Sequence, residues 1–68
     1  MVNIQKLKGR IVEKNLNGEK VAKALNINTA TWYRKLNEEG KTLTIAEVWQ
    51  LGRMLDLDHN DMQAIFFA

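Results

Sequence analysis

The sequence predicts an all-α fold, a compact bundle of five short helices, and three observations point there. Apolar residues recur at i, i+3 and i+4 along the chain, and nowhere do they alternate as they would in a half-buried strand. The 68 residues contain no proline, so no segment is barred from helix. Asn, Thr, Asp and Gly stand at the breaks between apolar patterns, where helix ends need capping groups.

The first helix is expected over residues 3–15, with Ile4, Leu7, Ile11 and Val12 on one face and Lys6, Arg10, Glu13 and Lys14 on the others. Gly9 inside it costs about 1 kcal/mol relative to Ala, which implies either marginal stability or close packing against a neighbour. Asn15-Leu16-Asn17-Gly18 breaks the pattern. Asn17 is suited to cap a second helix, and Leu16 to staple its start against the core. Val21 and Leu25 then fall at i, i+4, with Ala22 beside them as the small inner residue that admits a neighbouring helix.

After the turn Asn26-Ile27-Asn28, Asn28 caps a third helix placed at residues 29–37, whose inner face carries Trp32 and Leu36. Gly40, in the run Glu38-Glu39-Gly40-Lys41, supplies a left-handed exit. Thr44-Ile45-Ala46-Glu47 fits a capping box, so the fourth helix starts there and runs to about Leu55, with Ile45, Val48, Leu51 and Leu55 inward and Trp49 along one edge. Asp58 caps a short fifth helix, in which Met62, Ile65, Phe66 and Phe67 are apolar enough to need burial.

A chain of this length makes one domain, residues 1–68, and buries only roughly 60% of its unfolded surface. The absence of Cys removes disulfides and thiolate sites and is compatible with a reducing cytoplasm. No apolar run resembles a signal peptide, and the longest, Ala64 to Ala68, is far too short to span a bilayer, so a soluble cytoplasmic protein is expected. The net charge of +2 is unevenly spread. Residues 1–41 hold nine Lys/Arg against four Glu, a balance of +5, and residues 42–68 hold Arg53 against Glu47, Asp56, Asp58 and Asp61, a balance of −3. A polyanion would orient such a molecule with its basic half inward.

Two helices joined by a turn as short as Asn26-Ile27-Asn28 must cross steeply, and such a crossing can hold one helix against DNA while the other braces it. Val21, Ala22, Leu25, Ile27, Trp32 and Leu36 together resemble the helix-turn-helix of the Cro and repressor proteins of temperate phages. LKGRIVEKN before the motif and the amphipathic helix after it extend the likeness to small Cro-type proteins of Gram-positive phages, over nearly the whole chain. Two positions depart from that family. Gly18 stands where the first helix of the motif usually opens with Gln, and Asn26 where the turn usually has Gly; Asn is the residue after Gly most at ease in a left-handed conformation.

The resemblance implies a lambda-repressor-like DNA-binding domain that acts as a transcriptional repressor on double-stranded operator DNA, as a homodimer and in the cytoplasm of a bacterial host. No separate oligomerisation and cleavage domain fits in a chain of this length, which favours a Cro-like role over that of the larger phage repressors. With Trp32 and Leu36 inward, Asn28, Thr29, Ala30, Tyr33, Arg34 and Asn37 remain for base reading. Arg34 suits bidentate pairing with guanine, Asn28 or Asn37 pairing with adenine, Ala30 or the Thr29 methyl contact with thymine, and Tyr33 a phosphate contact or stacking. Asn17, Gly18, Lys20, Lys35, Lys41 and Arg10 are the candidates for phosphate; the absent side chain of Gly18 would leave the first amides of the second helix accessible. Glu38 and Glu39 would repel phosphate.

A second functional class is a protein-interaction module of the same fold that binds another phage regulator, as an antirepressor does; the modest charge, the two glutamates and the missing Gln favour it. An excisionase or other architectural DNA binder is a third, though the chain shows no basic arm or wing. An enzyme is not expected, because no activated nucleophile, carboxylate pair or glycine-rich phosphate loop is present. His59 has no second His or Cys to complete a metal site, and no cofactor is implied. Trp32 and Trp49 are read as core residues rather than stacking platforms.

Overall fold

The computed structural model describes residues 1–68. It is all-helical, with α1 (Ile4–Glu13), α2 (Gly18–Ala24), α3 (Thr29–Asn37), α4 (Ile45–Met54) and α5 (His59–Phe66) in chain order. Each helix begins at a side chain that accepts a hydrogen bond from an otherwise unpaired backbone amide. Asn3 accepts from Lys6, Asn17 from Lys20, Asn28 from Thr31, Thr44 from Glu47 and Asp58 from Asp61. At α4 the capping box closes as expected, the Glu47 carboxylate accepting from the Thr44 amide at 2.9 Å. A second box, Asp58 with Asp61, was not foreseen.

Helix ends follow one pattern. Asn15, Asn26, Glu39 and Asp56 all adopt positive φ, between 54° and 61°, directly after the C-caps of α1 to α4. The next amide in each case reaches back five residues: Leu16 donates to Ile11, Ile27 to Ala22, Gly40 to Lys35 and Leu57 to Gly52. This reversal folds the chain sharply and turns Leu16, Ile27 and Leu57 back against the core. The exit of α3 differs from the expected one, since Glu39 makes the left-handed turn and Gly40, at φ +75°, follows it. A Cβ on Gly40 would press into Val2, so the glycine is required for close approach as well as conformation. Helix α1 is shorter than the expected 3–15, because Asn3 is its cap and Asn15 already turns out of it.

The core is one cluster of Leu7, Ile11, Val21, Ala22, Leu25, Trp32, Leu36, Leu51, Leu55, Ile65 and Phe66. Helices α2 and α3 pack closely on each other through it, and α5 closes it against α1. There the Asn3 amide donates to the Ile65 carbonyl at 2.6 Å and Arg10 pairs with Asp61 at 2.6 Å. The expected apolar faces hold except at their margins. Val12 is 71% exposed, Ile45 78% and Phe67 65%, against the expectation that each turns inward. The periodicity of α4 explains Ile45: Val48, Leu51 and Leu55 fall within an arc of about 60°, and Ile45 lies about 60° beyond its edge. Trp49 lies farther round the same side and is 63% exposed, so it is a surface residue and not a core one. Val12 is likewise out of register, about 100° from Ile11 and about 140° from Leu7. Phe67 follows the last turn of α5 and escapes its face altogether. At Gly9 a Cβ would meet nothing within 4 Å, which leaves marginal helix stability, not close packing, as its consequence.

No helix is long and apolar enough to cross a membrane.

Candidate nucleic-acid interface

Helix α3 owes its two faces to its sequence. Trp32 (1% exposed) and Leu36 anchor one side in the core beside Val21, Ala22 and Leu25. At about 100° per residue, Ala30, Arg34 and Asn37 share an arc on the opposite side, with Tyr33 at its edge. All four are exposed, and the side chains of Tyr33, Arg34 and Asn37 make no hydrogen bond or ion pair within the molecule. Thr29 is half-buried at the leading end. Asn28 is exposed, but its Oδ1 already accepts from the Thr31 amide at 2.8 Å. Its amide can therefore offer its Nδ2 hydrogens but cannot form both bonds to an adenine edge without uncapping α3.

Tyr33 sets the relation between α3 and the start of α2. Its ring lies over Gly18, which is buried: a Cβ added there would collide with the Tyr33 hydroxyl and stand only 2.5 Å from Cζ. The expectation that a bare Gly18 leaves the first amides of α2 open is thus corrected, because the phenol occupies the space of the missing side chain. The space that a side chain at position 18 would take holds a tyrosine hydroxyl delivered from the neighbouring helix. Asn17, beside it, spends its side-chain oxygen on the Lys20 amide.

The candidate phosphate cations divide into two groups. Lys20 and Lys41 are exposed and unpaired, as is Lys23, which the sequence reading passed over. Lys35 and Arg10 are engaged within the fold. Lys35 Nζ donates to the Thr42 carbonyl at 2.8 Å and pairs with Glu47 at 3.3 Å, both side chains only 11% exposed. Lys35 lies on the flank of α3 that faces α4, about 100° from Arg34, so it ties the two helices together. Arg10, held by Asp61, sits at the α1–α5 contact. The structure brings Tyr33 to the start of α2 and sets Arg34, Asn37 and Ala30 on the same outer arc of α3, and does not bring Arg10 or Lys35 to them as unpaired cations. Glu38 and Glu39 are both exposed, Glu38 accepting from the Thr42 hydroxyl at 3.2 Å.

The Lys35–Glu47 pair joins residues on different helices, and no local motif announces it. The Tyr33–Gly18 contact does have a sequence signal in retrospect: a glycine at the opening of one helix, fifteen positions before an aromatic at the margin of the next helix's outer face.

Residues 1–68 match the model of a family described as a protein of unknown function (DUF739). The chain belongs to that family. No curated protein and no solved structure matches it.

Proposed function

We propose that this DUF739 protein is a sequence-specific reader of double-stranded DNA, with α2 and α3 as a helix-turn-helix and α3 seated in the major groove. The observation that carries the reading is the outer arc of α3, where Arg34, Asn37 and Tyr33 are exposed and unengaged on a helix whose inner side is fixed by Trp32 and Leu36. A reading helix needs hydrogen-bonding groups that have no partner in the free protein and a rigid mounting that preserves their register. Arg34 opposite the core is the guanine reader, Asn37 the adenine reader, and Ala30 with the Thr29 methyl the contact for thymine. Tyr33, pinned over Gly18, offers its hydroxyl to a backbone phosphate. Lys20, Lys23 and Lys41 supply the diffuse attraction to phosphate.

In this reading the protein acts as a Cro-like repressor in a bacterial host, occupying an operator and obstructing transcription. Two copies on one duplex face would place their α3 helices in successive major grooves about 34 Å apart. Lys35 and Arg10 serve by holding α3 and α5 in place rather than by touching DNA.

Selection of bound sequences from a random duplex pool, followed by salt titration of the winner, tests the proposal. It predicts an enriched motif and affinity for it well above that for bulk DNA at every salt concentration. Absence of any motif, with binding no tighter than to bulk DNA, would overturn it and turn the search toward a protein partner.

A further inference from the structure

A groove of about 790 Å³ runs between α4 and α5, within the roughly 300–1,000 Å³ that small-molecule sites occupy. Its two walls differ in kind. Helix α4 lends Ile45, Val48 and Trp49, spaced i, i+3 and i+4 along one side and all apolar. Helix α5 lends Met62 and the buried Phe66, and with its cap it brings the polar groups Asp58, His59 and Gln63. No residue of α3 lines the groove, so a ligand there does not depend on the DNA reading.

From this division we infer that the groove is a binding site for a small organic ammonium ion, with an aromatic or branched apolar body laid against Trp49 and Val48 and a protonated amine directed at Asp58. The lining sets the sign of the charge. Asp58 is its one carboxylate, and neither lysine nor arginine takes part in it. Asp58 Oδ1 accepts from the Asp61 amide at 2.8 Å, whereas Oδ2 accepts no hydrogen bond and neither oxygen has an ion pair. Asp61, by contrast, is answered by Arg10 at 2.6 Å, which leaves Asp58 as the uncompensated charge of that helix end. The start of a helix ordinarily draws an anion, but at α5 an anionic head would meet the two carboxylates already standing there.

The body of the ligand supplies most of the affinity. Trp49 and Phe67 are 63% and 65% exposed, and covering them removes apolar surface from water. An indole face also attracts a cation lying over it. Met62, unbranched and half-buried, adapts to the shape that enters. Because Asp58 is exposed, its charge adds only a few-fold in binding and acts mainly as a selector. His59 and Gln63, one turn apart on α5 and without hydrogen bonds in the fold, supply acceptors for the remaining ammonium hydrogens.

Titration of the isotope-labelled full chain with tryptamine, indole-3-ethanol and indole-3-acetate, three indoles that differ in the head group, tests the inference through the signals of the Trp49 indole N–H and the Met62 methyl. Tryptamine should saturate both at millimolar concentration or below; the alcohol should bind about two- to fivefold more weakly, and the acetate more weakly still. Asp58→Asn keeps a side-chain oxygen for the Asp61 amide and should erase the difference between tryptamine and the alcohol. Trp49→Ala should weaken all three alike. Tryptamine that moves neither signal, equal affinity for the three ligands, or a preference that survives Asp58→Asn overturns the inference. So do signals that move with protein concentration alone and no longer respond to tryptamine, which would give the groove to a second copy of the chain. The order of the three ligands on the natural chain decides the matter even where Asp58→Asn loses its helical circular dichroism.

Discussion

The α2–α3 unit and the α4–α5 unit handle their apolar residues in opposite ways. In α2, its C-cap and α3, Val21, Ala22, Leu25, Trp32 and Leu36 all enter the core, and Tyr33 is the one large aromatic side chain left outside, among polar and small residues. In α4, α5 and their C-caps there are more large apolar residues than the core receives: Leu51, Leu55, Ile65 and Phe66 are buried, and Ile45, Trp49 and Phe67 are left in solvent. A small domain has one core of limited size, and apolar residues beyond what it holds stay at the surface. The first unit therefore offers unengaged hydrogen-bonding groups, suited to base edges, and the second offers an apolar groove.

The largest expected effect sets the two tryptophans against each other. Trp32→Ala should cost about 3–5 kcal/mol in urea or thermal unfolding, because a fully buried indole leaves a cavity. Trp49→Ala should change stability by no more than about 0.5 kcal/mol. Equal losses would erase the distinction between the units. Next comes the link between them. Lys35→Ala takes the cation from the Glu47 carboxylate, which is 8% exposed as a residue, leaving it only the Thr44 amide, and should destabilise the domain by about 1–3 kcal/mol. A melting curve left unchanged, with weaker binding to all DNA, would return Lys35 to the phosphate-contacting set.

Arg34→Ala should leave unfolding untouched and cost about 1–3 kcal/mol on the selected duplex, with relaxed preference at one base pair; Lys20→Ala should weaken all sequences alike. Equal losses for both variants on selected and random DNA would contradict the roles assigned within the site. The smallest effects come from the two helical glycines, and they differ in sign. Gly9→Ala meets open space and should stabilise by about 0.5–1 kcal/mol, whereas Gly18→Ala must displace the Tyr33 ring and should destabilise by about 1 kcal/mol while weakening DNA binding. Parallel melts of the two variants decide this.

Much of this architecture was legible in the sequence because it is local. Asn17, Asn28, Thr44 and Asp58 cap the helices that they were expected to cap, since a cap needs only a short polar side chain three residues ahead of its amide partner. Trp32 and Leu36 were correctly placed because α3 has a narrow apolar stripe bounded by polar residues on both sides. Ile45 and Val12 were misplaced because an apolar residue at the margin of a stripe satisfies the same spacing rules whether or not the core extends to it. Long-range pairs were invisible. Nothing in the chain couples Lys35 to Glu47 or Arg10 to Asp61 until the helices are packed, so three cations with the same sequence credentials, Lys20, Lys35 and Arg10, part company only in the fold. Tyr33 was assigned to the outer face correctly, but its rest against Gly18 depends on the crossing of two helices.

On the proposed function the outer face of α3, and not the groove between α4 and α5, meets DNA. Amide chemical-shift mapping of the full chain against a duplex carrying a single half-site, so that only one copy binds, tests it directly. The account predicts shifts concentrated at Thr29, Ala30, Tyr33, Arg34 and Asn37 and at Gly18 to Lys20, with Trp49 and Met62 unmoved. Shifts centred on Trp49, Leu57 and Met62, or none that saturate with added duplex, would contradict it.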